Sequence, residues 1–210
     1  MPSLRQILQL HAPLLLIDAA STRVQVGLLD ARTARWTART AEAGIAVFAG
    51  IEELAVDLSA IQGFVFCEGP GSILGIRTAA VALRTWQTLA PRPAFAYGSL
   101  ALVSQALGDT DFSVIADARR DSWHVQRAGH ALRRVPTAEL SGPLVMPENF
   151  RHWTPLPAGI QRTPYDVAAL LETLPDADLF RAVDAPDAFL HEEPSYATWT
   201  PHIHRAPSSP

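Results

Sequence analysis

Phe64-Val65-Phe66-Cys67-Glu68-Gly69-Pro70-Gly71-Ser72-Ile73-Leu74-Gly75-Ile76-Arg77 is the stretch on which the reading of this chain turns. Its opening residues are an unbroken apolar run, which fits a strand buried on both faces. Glu68 to Ser72 then supply turn chemistry, because glycine accepts positive φ and a serine oxygen can cap a helix. The spacing predicts a helix from about Ile73 to Leu89, ended by Pro91 and Pro93. A strand that passes through a glycine turn into a helix leaves free N–H groups at the helix start, a setting suited to an anion such as phosphate. A tight structural turn uses the same residues. Gly69, Pro70, Gly71, Ser72, Gly75 and Arg77 are therefore candidate anion-binding residues and equally candidate packing residues. The pattern is neither a GxGxxG fingerprint nor a P-loop.

Upstream of this unit, Leu14–Asp18 is an apolar run ending in an acid, and Ser21-Thr22-Arg23 gives a turn before Val24, Val26 and Leu28 alternate with Gln25 and Gly27. That predicts a hairpin, followed by a third strand over Trp36–Thr40 and an amphipathic helix over Ile45–Leu58. Downstream, Ala94–Tyr97 reads as a short strand and Ser99 as the cap of a helix to Leu107. Phe112–Asp117, a turn at Ala118-Arg119-Arg120-Asp121 and a strand at Ser122–Arg127 then repeat the opening strand, acid, turn, strand pattern, with a further strand near Leu132–Val135. The remainder is rich in proline and turns. It carries one helix, over Pro164–Leu174, with Pro164 in its first turn, and ends in a frayed tail over 206–210. Two related β-meander lobes are expected, residues 1–105 as a full N-terminal lobe and 106–210 as a reduced C-terminal one with a short irregular tail.

Composition narrows the chemistry. The chain has 210 residues, of which 48 % are hydrophobic and 18 % charged, outside the regime of intrinsic disorder. Its net charge of −4 gives no broad electrostatic footprint for nucleic acid. All 17 basic residues are arginine, which excludes Schiff-base and P-loop lysine chemistry. The single cysteine, Cys67, can form neither an internal disulfide nor a CxxC site, and a reducing, cytoplasmic compartment is expected. The apolar run at Leu14–Ile17 is far short of a membrane span, and no export signal is read in the N-terminal residues.

Asp18 and Asp117 each end the first strand of an expected hairpin. Phosphotransferases of the actin-like ATPase (ASKHA, ribonuclease H-like) fold place there carboxylates that act through a metal ion on nucleotide phosphates. Aspartate at a strand end also serves simply to close a turn. Ala19-Ala20-Ser21-Thr22 and Ala118-Arg119-Arg120-Asp121 lack the glycine that admits phosphates, so these acids read as vestigial. The histidines form no HxxxH pair, and His202 with His204 makes a weak metal site, so no metal site is expected. Ser72 and Ser99 lie in no GxSxG motif. The doublets Arg119-Arg120 and Arg133-Arg134 read as solvated turns.

The sequence resembles the TsaB family, formerly YeaZ, glycoprotease-like proteins of tRNA threonylcarbamoyladenosine synthesis. The resemblance rests on Leu16-Ile17-Asp18-Ala19-Ala20-Ser21-Thr22 against the family's strand ending in Asp-Thr-Ser-Thr, and on Gly69–Arg77 against its GPGSFTGLR motif. It continues through Ser99-Leu100-Ala101-Leu102, Asp117-Ala118-Arg119-Arg120-Asp121 and Pro194-Ser195-Tyr196. Ile73-Leu74 replaces the family's Phe-Thr, and Thr40-Ala41-Glu42-Ala43-Gly44 stands where members commonly carry a His-Ser stretch, which marks a divergent member.

What the resemblance implies is an α/β fold of the ASKHA class with two lobes, the second reduced. It also implies a non-catalytic scaffold subunit, binding no cofactor by itself. Such a subunit supports a TsaD-like catalytic partner in threonylcarbamoyl transfer to adenosine 37 of ANN-decoding tRNAs. A TsaE-like ATPase joins the assembly, ATP and magnesium act at the level of the complex, tRNA is met only through it, and the chain alone can form a homodimer. The expected interface is the helix over Ile45–Leu58 with the helix after Gly75, through Phe48, Ile51, Val81 and Trp86. The rival expectations are a magnesium-dependent phosphotransferase or ATPase using Asp18 and Asp117, and a glycoprotease-like hydrolase.

Overall fold

A computed structural model describes residues 1–108 and 111–189. The Pro194-Ser195-Tyr196 element, His191, His202, His204 and the tail over 206–210 lie outside the described residues. The first half runs α1 (Leu4–His11), β1 (Leu14–Asp18), β2 (Arg23–Leu29), β3 (Ala34–Thr40), α2 (Ala43–Glu53), β4 (Gly63–Gly69), α3 (Ile73–Leu89), β5 (Ala94–Gly98) and α4 (Ser99–Leu107). The second runs β6 (Ser113–Asp117), β7 (Ser122–Gln126), β8 (Arg133–Pro136), a 3-10 turn at Thr137–Glu139, β9 (Leu144–Pro147), β10 (Gln161–Thr163), α5 (Val167–Thr173) and β11 (Arg181–Val183).

The strands form two sheets, ordered β11-β5-β4-β1-β2-β3 and β10-β9-β6-β7-β8. In each, an antiparallel three-stranded meander is extended by two parallel strands, so β6 to β10 repeat the topology of β1 to β5. The repetition makes the reduction of the second lobe visible. Where α2 joins β3 to β4, only the 3-10 turn lies between β8 and β9, and where α3 joins β4 to β5, residues 148–160 carry no helix. Gly142-Pro143 and the Pro155 and Pro157 pair deny those connections a helix. The first sheet is not built solely from residues before 106, because β11 returns to pair with β5.

The alternation of side chains along the central strands assigns two faces. Leu15, Ile17, Phe64 and Phe66 pack with Val47, Ala79, Ala80 and Leu83 of α2 and α3. Leu14, Leu16, Val65 and Cys67 face Leu100, Leu102 and Val103 of α4 and the second sheet. All are buried, and each large aliphatic or phenylalanine contributes roughly 1.5–3 kcal/mol by leaving water. Small residues set the close approaches. A Cβ on Gly50 would stand 2.9 Å from Val26 Cγ2, so glycine lets α2 press onto β2. Gly27 lies opposite Trp36 across the β2–β3 ladder, and the indole covers it.

Several element ends differ from the sequence reading. The helix expected over Ile45–Leu58 stops at Glu53, because Ala55 turns into the left-handed region (φ 47°) and the Asp57 carboxylate captures the N–H and hydroxyl of Ser59. The last helix begins at Val167 instead of Pro164, with Asp166 accepting from the Ala169 N–H. Ser99 is not a cap. Gly98 holds that position, and the Ser99 hydroxyl donates to the Pro70 carbonyl at 2.5 Å. Helix α1 was not expected, although Ser3 and Gln6 form a capping box around its first turn, an S-x-x-Q signal legible in the sequence. Leu4 and Ile7 bury its inner side, and the backbone of Pro2 and Arg5 bonds to Phe180 and Pro175. No described helix is long and apolar enough to cross a membrane.

Candidate functional site

The glycine turn forms as the sequence suggests, and the Ser72 and Gly75 N–H groups are spent on the protein itself. Gly69 has φ 116°, accessible to glycine, and Ser72 caps α3 by accepting from the Gly75 N–H at 3.3 Å. The Ser72 N–H donates to the Ala20 carbonyl at 2.7 Å. A Cβ on Gly71 would run into the Ala20 carbonyl oxygen, and one on Gly75 into that of Ala19. The two glycines thus let the start of α3 lie directly on the backbone of the β1–β2 turn, where a phosphate cradle needs open space. Pro70 is tied down by Ser99, and Arg77 stands exposed on the outer side of α3.

Asp18 lies beneath this contact and is fully buried. Its Oδ2 accepts from the Tyr97 hydroxyl at 2.6 Å and the Tyr165 hydroxyl at 2.7 Å, and its Oδ1 from the Ala20 N–H at 3.1 Å. Burial raises its pKa, opposed by those three hydrogen bonds and a weaker one from Cys67. The same burial, with the Asp18 charge close by, pushes Tyr97, Tyr165 and Cys67 well up. Both hydroxyls therefore keep their protons as donors. The Cys67 Sγ and Tyr165 hydroxyl meet at 3.9 Å, and Phe150 packs edge-on against Tyr165 at 4.9 Å between ring centroids. Overhead, Thr22 donates through its N–H and hydroxyl to the Asn149 carbonyl, and Gln25 holds the Tyr165 carbonyl and the Val167 N–H. The acid that the rival phosphotransferase reading sets near a metal-bound nucleotide is instead the centre of a closed polar cluster that joins the two lobes.

Tyr97 and Tyr165 lie 79 and 147 residues from Asp18 and no local pattern pointed to them. Asp117 does not join this cluster. Its Oδ2 accepts from the N–H groups of Trp153 and Thr154, and its Oδ1 from Arg119. Partial burial raises its pKa, but the three backbone donors outweigh that and leave it below 3.8. Among the described residues no three His, Cys, Asp or Glu side chains converge to hold a metal.

The four residues expected at an interface divide. Phe48 and Val81 point outward, Ile51 belongs to the core, and half-buried Trp86 bridges Phe64 and Phe48 with centroids at 5.9 and 6.3 Å. Two residues that the sequence reading missed extend the outward stripe on α2 and α3: Ile45 is 63 % exposed and Leu74 72 %, beside Phe48 at 53 % and Val81 at 51 %. The helical period marks a stripe, and only packing shows which part is left uncovered.

The duplicated meanders, each extended by two parallel strands, show a two-lobed α/β fold of the actin-like (ASKHA) type with a reduced second lobe. Solved structures with this fold include YeaZ from Pseudomonas aeruginosa, at 20% identity and TM-score 0.58 over 76% of this chain and 89% of that one. Another is described as an uncharacterized protein with similarity to peptidase YEAZ from Pseudomonas aeruginosa, at 21% identity and TM-score 0.57, covering 77% of this chain and 88% of that one. No family model matches the sequence, and none of the curated proteins does.

Proposed function

We propose that this chain is a divergent YeaZ-type (TsaB) protein that works as a non-catalytic partner, docking through the outer face of α2 and α3 onto a TsaD-like catalytic subunit. In that role it supports threonylcarbamoyl transfer to adenosine 37 of ANN-decoding tRNAs, in an assembly that a TsaE-like ATPase completes and to which ATP and magnesium belong. The observation that carries the reading is the stripe of Ile45, Phe48, Leu74 and Val81 exposed on two adjacent helices, since clustered apolar side chains in water mark an interaction surface. The filled turn at Gly71 and Gly75 and the closed cluster around Asp18 support a partner role over a phosphotransferase, because carbonyls and tyrosines stand where phosphates would enter. Its home in this reading is the cytoplasm.

The test is size-exclusion chromatography with light scattering of the full chain, alone and mixed with TsaD from the same organism. The expected result is a mixed complex with wild type and its loss in Phe48→Asp and Val81→Asp, each weakening association by about 30-fold or more, as loss of a central apolar contact does. A homodimer of the chain alone that dissociates in the same variants supports the same surface. A complex that forms equally with both variants overturns the assignment of this face, and absence of any complex overturns the partner reading.

A further inference from the structure

The β6–β7 turn and the segment after β9 form a second constructed feature, on the opposite lobe from α2 and α3. Asp117 ties them together, accepting from Arg119 N–H at 2.5 Å on one oxygen and from Trp153 and Thr154 N–H at 2.5 and 2.7 Å on the other. Arg119, Arg120 and Asp121 hold φ values of 61°, 51° and 54°, a run of left-handed residues without a glycine. The Arg134 guanidinium secures this turn on the carbonyls of Ala118 and Arg119, as does the Thr137 N–H on that of Asp121. The outcome is a guanidinium laid over an indole. Arg119 Cζ sits 4.4 Å from the Trp153 ring centroid, and Trp153 remains 60 % exposed. A shallow groove of about 410 Å³ runs between Arg119, Arg120, Asp121, Trp153, Thr154 and Pro155.

We propose that this groove binds an unpaired nucleobase of a single-stranded nucleic acid, with Trp153 stacking on the base and Arg120 taking a flanking phosphate. Every base presents a π-face, and an exposed aromatic beside cations is the recurrent platform for single strands. Arg119 fixes the ring from one side, so little freedom is lost when a base arrives on the other. Arg120 is exposed, and no ion pair among the described residues engages it. Arginine is the side chain suited to phosphate by its forked donors. One isolated ring among arginines is a poor match for a protein partner, whose contact core is broader and depleted in charge. The overall charge of −4 does not prevent a local site, because charges beyond about 8 Å are largely screened at physiological salt. Asp121 lies in the groove and moderates the attraction. The site gives this chain its own contact to a strand and stands apart from the α2 and α3 surface, so failure of either leaves the other intact.

Fluorescence anisotropy of a short labelled oligoadenylate RNA with the full chain, over a salt series that includes physiological ionic strength, tests it. Wild type is expected to bind, Trp153→Ala to weaken binding about tenfold, and Trp153→Phe to retain most of it. Arg120→Ala should flatten the slope of log K against log salt by about 0.7. Trp153 is exposed, and an unchanged circular dichroism melt confirms that each variant folds. The proposal is overturned by no binding, by equal binding of Trp153→Ala, by equal binding of a duplex of the same RNA, or by AMP competing as well as the oligomer.

Discussion

The contact between the start of α3 and the β1–β2 turn can be weighed with two chemically identical substitutions. Gly75→Ala and Gly44→Ala each add one methyl group to a glycine in the first turn of a helix. Helix propensity favours alanine in both by up to about 1 kcal/mol. Gly44 has nothing within 4 Å of the added carbon, so that gain stands alone and Gly44→Ala should be neutral or stabilising by up to about 1 kcal/mol. At Gly75 the new carbon meets the Ala19 carbonyl, a backbone atom that cannot rotate away. Overpacking costs about 1–3 kcal/mol, and an approach well under 3.0 Å to a backbone oxygen draws on the upper part of that range, so the net expected for Gly75→Ala is a loss of about 1–2 kcal/mol, or a fall of several degrees in Tm for a chain of this length. Urea unfolding at neutral pH, with equal slopes for all three proteins, measures both. The opposite signs are the prediction. Equal stability of Gly75→Ala and wild type would show that the turn has room to spare, and would return Gly69–Ser72 to candidacy as a phosphate cradle.

Burial lifts Asp18 above its ordinary value of 3.8 in the folded protein, so the unfolded chain releases this proton first and stability falls as pH rises from about 3.8 through the folded pKa. Urea midpoints of wild type and Asp18→Asn across that window should converge or cross with wild type losing ground; a constant difference would contradict a raised pKa. Asp117 has the opposite sign: its pKa is lowered, so its contribution is present above 3.8 and is lost as pH falls through the folded value. Asp117→Asn should cost about 1–2 kcal/mol through its backbone donors and increase acrylamide quenching of Trp153, while unchanged quenching would show that the loop holds itself. Ser99→Ala deprives the buried Pro70 carbonyl of its donor and should cost about 1–3 kcal/mol by thermal melt, against no effect if Pro70 has another partner.

The unit from Phe64 to Arg77 was legible because its signals are local: an apolar run, turn residues and a helical period each act within a few positions. The recurrence of strand, acid, turn and strand likewise exposed the two lobes, and the structure extends that recurrence to five strands in the same order in each sheet. What the glycines are for was not local. An open anion cradle and a turn pressed onto another backbone demand the same residues, and only the placement of Ala19 and Ala20 decides for packing.

Asp18 shows the same division. Its position at the end of a strand followed from sequence, but its chemistry depends on Tyr97 and Tyr165, brought in from β5 and from the residues ahead of α5. Helical periodicity placed Phe48, Ile51, Val81 and Trp86 on helices without telling which face neighbours would cover, and Ile51 went inward while Ile45 and Leu74 were left in water. The basic turn at Arg119-Arg120 gained a partner only when Asp117 drew Trp153 to it from 36 residues away. Secondary structure and the duplication thus belong to the sequence, because short-range sterics and hydrophobic period set them. The closed Asp18 cluster, the uncovered stripe and the indole under its guanidinium belong to the tertiary structure, because each depends on which residues distant in sequence the packing brings together or leaves uncovered.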